Sequence, residues 1–360
     1  MADAMWQRFL RAFAITAAAV LALSLAAILL VDPLGVSPIA MVAPKSGYAL
    51  TDRRFLAQQV IRSGQFDSFL VGSSTIHSVD PHWAEEVFGG EFANLAIHGV
   101  TPHKLTRVLD MIGRSTPRLR TVVLGLDAES WCAATAPARY HPKAVFPESL
   151  YDADRYDDFA TLLNFKLLEA SFKQLAVDLK IKAPKTEADG YRNVLDDAKW
   201  KPFKPDRDTC QFACDEAPAT TNGGGDETPS GKGGQHQFPA LRLLEQALSS
   251  LPARTKLIVV LMPPYASKLP DTAGQRADLG LCKRRIAALA SDKRGYAIDF
   301  DIASPWTLNA ENYWDASHFR IVIAKAFIPR IKEAMEHRRD AEDGVYRYLA
   351  GPSPPATTSR

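Results

Sequence analysis

The chain has 360 residues, 46% hydrophobic and 23% charged, with a formal net charge of +2. That balance suits a globular protein with a sizeable core and excludes a disordered or strongly acidic chain. It gives no electrostatic footprint for nucleic acid, and the basic run CKRRIAALASDKR (282–294) reads as a solvated helix face.

Residues 1–9 form a short N-terminus, followed at 10–31 by LRAFAITAAAVLALSLAAILLV, which carries one charge, Arg11, at its leading edge. Such a run is apolar on every face and long enough to cross a hydrocarbon core of about 30 Å. Arg8 and Arg11 precede it, and no Lys or Arg follows until Lys45. This asymmetry predicts a cytoplasmic N-terminus, with everything after residue 32 periplasmic or extracellular. A cleaved signal peptide is the competing reading. The length of the run, and the lack of a small-x-small site in VDPLG, favour an uncleaved single-pass anchor in the inner membrane.

Residues 32–64 read as a Pro/Gly-punctuated connector and a first helix. DSFLVG (67–72), TVVLGL (121–126) and KLIVVLM (256–262) are continuous apolar runs, and GYAIDF (295–300) is a weaker fourth. Runs of this kind suit strands buried on both faces, as in a parallel sheet. Helical periodicity lies between them, at 102–115, 241–251, 277–291 and 319–337, the last expected to bend at Pro329. The alternation predicts an α/β/α three-layer sandwich over 65–337. Residues 140–236 interrupt it as an insertion, with an amphipathic helix at 159–180 and a Gly/Pro/Ser/Thr-rich loop at 216–236 expected to be disordered. Residues 338–360 read as a flexible tail.

Four cysteines fit an exported domain. Cys210 and Cys214 are close enough for a local disulfide, while Cys132 and Cys282 are buried thiols or a long-range bridge. The C-x3-C pair has no second Cys or His pair beside it, so neither a metal site nor a cofactor is expected.

The chemistry-bearing stretch is FLVGSSTIHSVD (69–80), in which an apolar strand runs into Gly72-Ser73-Ser74. In an open parallel sheet, ligands bind outside the carboxyl ends of the strands. A serine there needs a base to become a nucleophile. ENYWDASHFR (311–320) offers Asp315 and His318, spaced so that the carboxylate can hold the imidazole while its other nitrogen faces a serine. Ser74 is the favoured nucleophile and Ser73 its rival. His77, Asp127 and Trp314 are possible lining residues, with His82, His98, Trp131, Tyr140 and His141 nearby in sequence.

Gly-Ser-Ser after the first strand and Asp-x-x-His before the last helix resemble the SGNH/GDSL hydrolase superfamily. The resemblance implies a flavodoxin-like fold, with Ser74, His318 and Asp315 as the triad and Ser73 where the family usually has Asp. It also implies an oxyanion hole from the backbone of Ser74 and a glycine after the second strand, matched by Gly99 in FANLAIHGVTP (92–102). The family's Asn after the third strand is absent, and Asp127 stands in that region. An N-terminal anchor joined to such a domain is similar to the envelope polysaccharide O-acylation proteins, D-alanine transfer protein-like and, more distantly, alginate acetylation protein-like. That similarity implies a serine acyltransferase or esterase acting on cell-envelope glycan, and a membrane-bound O-acyltransferase as partner. The missing Asn keeps open a non-catalytic adaptor that binds glycan or such a partner.

Overall fold

In the computed structural model the three strongest apolar runs and the weaker fourth become neighbouring parallel strands. The structure describes residues 2–37, 46–135, 146–192 (apart from 155, 159, 160 and 162–164), 197–202 and 238–352. The central sheet holds β2 (Ser68–Val71), β3 (Phe92–Asn94), β4 (Thr121–Leu126), β6 (Lys256–Leu261), β7 (Tyr296–Asp299) and β8 (Arg347–Ala350), in the order β3-β2-β4-β6-β7-β8. All pairings are parallel except β7 with β8. A separate two-stranded antiparallel sheet joins β1 (Gly47–Tyr48) to β5 (Thr186–Glu187).

The continuous apolar runs are explained by burial on both faces. Phe69, Val71, Val122, Leu124, Val259 and Leu261 point into one core, with residues of α2 (Arg53–Arg62), α4 (Pro102–Ser115), α7 (Pro239–Ser250) and α8 (Ala273–Asp292). Leu70, Val123, Ile258, Val260 and Ile298 point into the other, with residues of α3 (Pro81–Phe88) and α9 (Ile321–His337). Alternate residues of one strand thus serve opposite cores, and a polar substitution on either side strands an unsatisfied group. The protein is a mixed α/β structure with a mostly parallel sheet covered by helices on both faces.

Several expectations change. The supposed tail folds back through Ala350: Ala341, Val345 and Tyr346 are buried, and Arg347–Ala350 pairs with β7. The helix α9 continues through Pro329, fastened to the sheet by Ile323, Phe327 and Ile331. The helix expected at 159–180 is described as α6, Phe165–Asp178. Cys132 and Cys282 form a disulfide, which settles the long-range alternative. Cys210, Cys214 and the loop 216–236 lie outside the described residues.

The first helix, α1 (Ala2–Val31), is long and apolar enough to cross a membrane by length and composition, a test that a signal sequence also passes.

Candidate active site

Because β2, β3, β4, β6 and β7 run parallel, the segments leaving them emerge at one edge of the sheet. These are the serine turn, the Gly99 turn, Asp127, the Met262-Pro263-Pro264-Tyr265 loop and Asp301.

The serine turn is shaped by close approach. A Cβ on Gly72 would lie 2.9 Å from the carbonyl oxygen of Gly125 and 3.0 Å from Ile76, so glycine alone lets the chain pass β4 there. Ser73 is extended and caps a single 3-10 turn, Ser74–Ile76, its Oγ accepting from the Thr75 amide at 3.2 Å. The Ser73 and Thr75 hydroxyls lie 3.1 Å apart, and Thr75 donates to Asp127 at 2.9 Å. Ser73 is therefore engaged beside Asp127. Ser74 instead places its Oγ 2.8 Å from His318 Nε2, across 244 residues of chain.

The loop carrying His318 is closed on itself. An antiparallel bridge joins Tyr313 to Phe319, the Trp314 amide donates to the His318 carbonyl at 2.8 Å, and that of Arg320 donates to Asn312 at 2.7 Å. The loop after β6 buttresses it. Tyr265 N–H donates to the Ala316 carbonyl at 2.9 Å, and the Tyr313 hydroxyl donates to that of Pro264 at 3.1 Å. Inside the loop, Asp315 accepts from the amides of Ser317 (2.8 Å) and His318 (2.9 Å), and both its oxygens lie 2.8 Å from His318 Nδ1.

Burial pushes the Asp315 carboxyl up. The His318 ring and the two amides outweigh that and hold it below its ordinary value. An ionised carboxylate can only accept, so Nδ1 carries the imidazole proton. In the neutral ring Nε2 then turns its lone pair toward the Ser74 hydroxyl, the arrangement a general base requires.

Gly99 leaves the neighbouring strand at the same level. Hydrogen bonds from Leu95 to Leu70 (2.8 Å) and from Ile97 to Gly72 (3.1 Å) carry the β2–β3 ladder past Asn94. The chain then turns at Gly99 with φ +59°, a conformation that favours glycine. Among the described residues, the amides of Ser74 and Gly99 have no acceptor. Asn94 is buried scaffolding. It donates to the carbonyls of Ile76 and Val79 and accepts from Arg53, which also holds the Ala96 and Gly190 carbonyls.

Asp127 begins a short helix, α5 (Ala128–Trp131). Burial raises its carboxyl above the ordinary value, and the Ser73 and Thr75 hydroxyls offset this only in part. Its Oδ1 is spent on Thr75, so it is turned toward the serine turn's own hydroxyls.

The remaining expected residues divide. His77, which ends the serine turn, is buried with Nδ1 2.7 Å from His98 Nε2 and so lines no exposed crevice. Burial and the nearby Arg53 cation hold it neutral, well below the usual histidine range. His82 is exposed and pairs with Asp80 at 2.9 Å. Trp314 and Trp131 are buried, and Trp131 belongs to the core that α4 and α7 share. Tyr140 and His141 lie outside the described residues.

Two features carried no usable sequence signal. Lys283 on α8 is buried against Asp299 (2.9 Å) and Asp301 (3.3 Å), and also donates to the Asp301 carbonyl. Trp200, from the insertion, donates to the Tyr313 carbonyl at 2.9 Å and lies under the Arg320 guanidinium at 4.0 Å, while Asp197 pairs with Arg320 at 3.1 Å. The insertion thus braces the histidine loop from outside. Thr75 was visible in GSST, yet its tie to Asp127 spans 52 residues. Among the described residues, no group of three or more His, Cys, Asp or Glu is placed to hold a metal ion.

No protein-family model matches this chain, and no curated protein matches it. Among solved structures it is similar to one described as "The structure of a putative platelet activating factor from Streptococcus pneumonia". That similarity spans 80% of this chain and 92% of the other at 10% identity, with a TM-score of 0.35, too low to carry an argument.

Proposed function

We propose that this protein is a membrane-anchored, extracytoplasmic serine acyltransferase or esterase of the SGNH type, with a flavodoxin-like three-layer fold, acting on O-acyl groups of cell-envelope polysaccharide. The observation that carries the reading is the continuous chain Asp315–His318–Ser74, with 2.8 Å at each link.

In this reading Ser74 Oγ attacks the acyl carbonyl carbon while its proton passes to His318 Nε2. The resulting imidazolium is stabilised by Asp315, and the oxyanion is met by the amides of Ser74 and Gly99. Each such donor is worth about 3 kcal/mol of barrier. Collapse breaks the bond to the leaving alcohol, which takes the proton from His318 and leaves an acyl-serine. His318 then deprotonates the acceptor, which attacks the acyl carbon and frees Ser74. Water as acceptor gives hydrolysis, and a sugar hydroxyl gives transfer. The apolar helix α1 supports a single-pass anchor in the inner membrane with the N-terminus in the cytoplasm, which would place this site among envelope glycans. The resemblance to envelope O-acylation proteins adds a membrane-bound O-acyltransferase, able to supply acyl groups, as the partner in this reading.

The test replaces Ser74 and His318 separately with Ala and measures p-nitrophenyl acetate hydrolysis and the acyl content of the surface polymer. The reading expects both variants to lose both signals, and unchanged values in both assays would overturn it. A second reading, a non-catalytic adaptor that binds glycan or the acyltransferase, is favoured by one observation. Asp127, not an amide side chain, follows β4. The adaptor expects surface acylation to survive Ser74→Ala.

A further inference from the structure

The exposure of α1 changes along its length. Residues 4–23 are exposed on every side. From Ser24 onward the helix becomes partly covered, with Ile28 and Val31 buried where it packs on α6. The apolar run 10–31 is about 33 Å long at about 1.5 Å per residue, so its last turns, residues 24–31, reach the outer boundary of a hydrocarbon core of about 30 Å. Whatever packs around residues 24–31 then lies at headgroup level.

The element at that level is α6. Its inner face is fixed: Ser171, Gln174 and Val177 are buried, and Gln174 donates to the Gly47 carbonyl at 3.0 Å and accepts from the Ala49 amide at 2.9 Å. Its outer face is not that of an ordinary solvated helix. Phe172 on the helix is 60% exposed, and in the turn after it Leu179 is 60% and Ile181 70% exposed. Lys173, Lys180, Lys182 and Lys185 are exposed around them. Residues 165–185 hold five lysines against two acids, Glu169 and Asp178. Large apolar side chains ringed by lysines are the composition of an interfacial helix, in which apolar groups enter the acyl boundary and ammonium groups meet lipid phosphates.

We propose that α6 and the turn after it, residues 172–182, form a second membrane contact that lies in the interfacial layer of an anionic phospholipid bilayer. The inference rests on the anchor reading of α1. Its consequence is orientation: one helix through the bilayer leaves a domain free to rotate, whereas a second contact fixes which side of it faces the lipid.

The test uses the full chain in liposomes containing a phospholipid with a photoactivatable group high on its acyl chain. Lipid adducts are mapped by mass spectrometry. We expect adducts both within residues 4–23 and within 172–182. Adducts within 4–23 alone would overturn this inference, and adducts in neither segment would overturn the anchor reading beneath it. Yield at 172–182 should rise at least about threefold when neutral lipid is replaced by about 30% phosphatidylglycerol. No rise would count against the anionic partner. The exposed triple variant Phe172→Glu, Leu179→Glu, Ile181→Glu should lose adducts at 172–182 and keep those at 4–23. Retention at both sites would contradict the proposal.

Discussion

Two charged clusters sit at the same edge of the sheet, and they are built for opposite ends. Asp315, His318 and Ser74 form a relay in which one carboxylate faces one imidazole and the far nitrogen faces a half-buried hydroxyl. Lys283, Asp299 and Asp301 form a closed knot in which a buried ammonium is surrounded by two carboxylates and a carbonyl. The relay leaves a lone pair aimed at a reactive atom. The knot spends every donor on its own members. Charge and burial alone do not mark a chemical site; an unspent lone pair on an accessible partner does.

The largest effect that would sharpen this contrast is loss of the relay's carboxylate. Asp315→Asn removes the acceptor that sets the tautomer of His318, so p-nitrophenyl acetate hydrolysis should fall by about 100-fold or more. The midpoint of urea unfolding should move little. Lys283→Met is the mirror experiment. It leaves two buried carboxylates without their cation and should cost about 3–5 kcal/mol of stability, read by urea unfolding, while hydrolysis per folded molecule stays near wild type. If the Lys283 variant lost activity at full stability, the two clusters would not be separate devices.

The disulfide links the neighbourhoods of both clusters. Cys132 closes the short helix begun by Asp127, and Cys282 directly precedes Lys283. Its 150-residue separation makes the constraint on the unfolded chain large, and reduction should cost about 2–5 kcal/mol. Thermal unfolding with and without reductant measures this.

The smallest effect is one of pH. Burial, with Asp299 adding to it against the pull of Lys283, pushes the Asp301 carboxyl up to about 7 from its ordinary 3.8. Between those values the folded protein holds a proton that the unfolded chain has released. Stability from this group therefore falls as pH rises from about 4 to about 7 and is level above that. Asp301→Asn keeps the shape and removes the titration, so urea midpoints measured across that range should lose this decline. An unchanged slope would assign it to another group.

The parts of this molecule that could be read from sequence share a physical reason. Strands covered on both faces must be continuously apolar, so β2, β4 and β6 announced themselves, and Gly72-Ser73-Ser74 and Asp315-x-x-His318 each lie within a few residues. What could not be read depends on distant partners. Arg347–Ala350 is a short, half-exposed edge strand, and nothing local in RYLA distinguishes it from tail. Ser74 was favoured over Ser73 from the sequence, but its physical reason lies in distant partners: Thr75 and Asp127 engage Ser73, and His318 faces Ser74. The brace of Trp200 on Arg320 reaches across more than 100 residues. His77 and Trp314 are both buried, and flanking a turn in sequence does not decide which side of it a ring occupies.

The central claim is that His318 activates Ser74 for attack, and labelling by a fluorophosphonate tests it most directly. The full-length protein should form one covalent adduct, mapped by mass spectrometry to Ser74. It should be lost in Ser74→Ala and strongly slowed in His318→Ala. Absence of any adduct on the folded protein, or an adduct that persists in Ser74→Ala, would contradict the account.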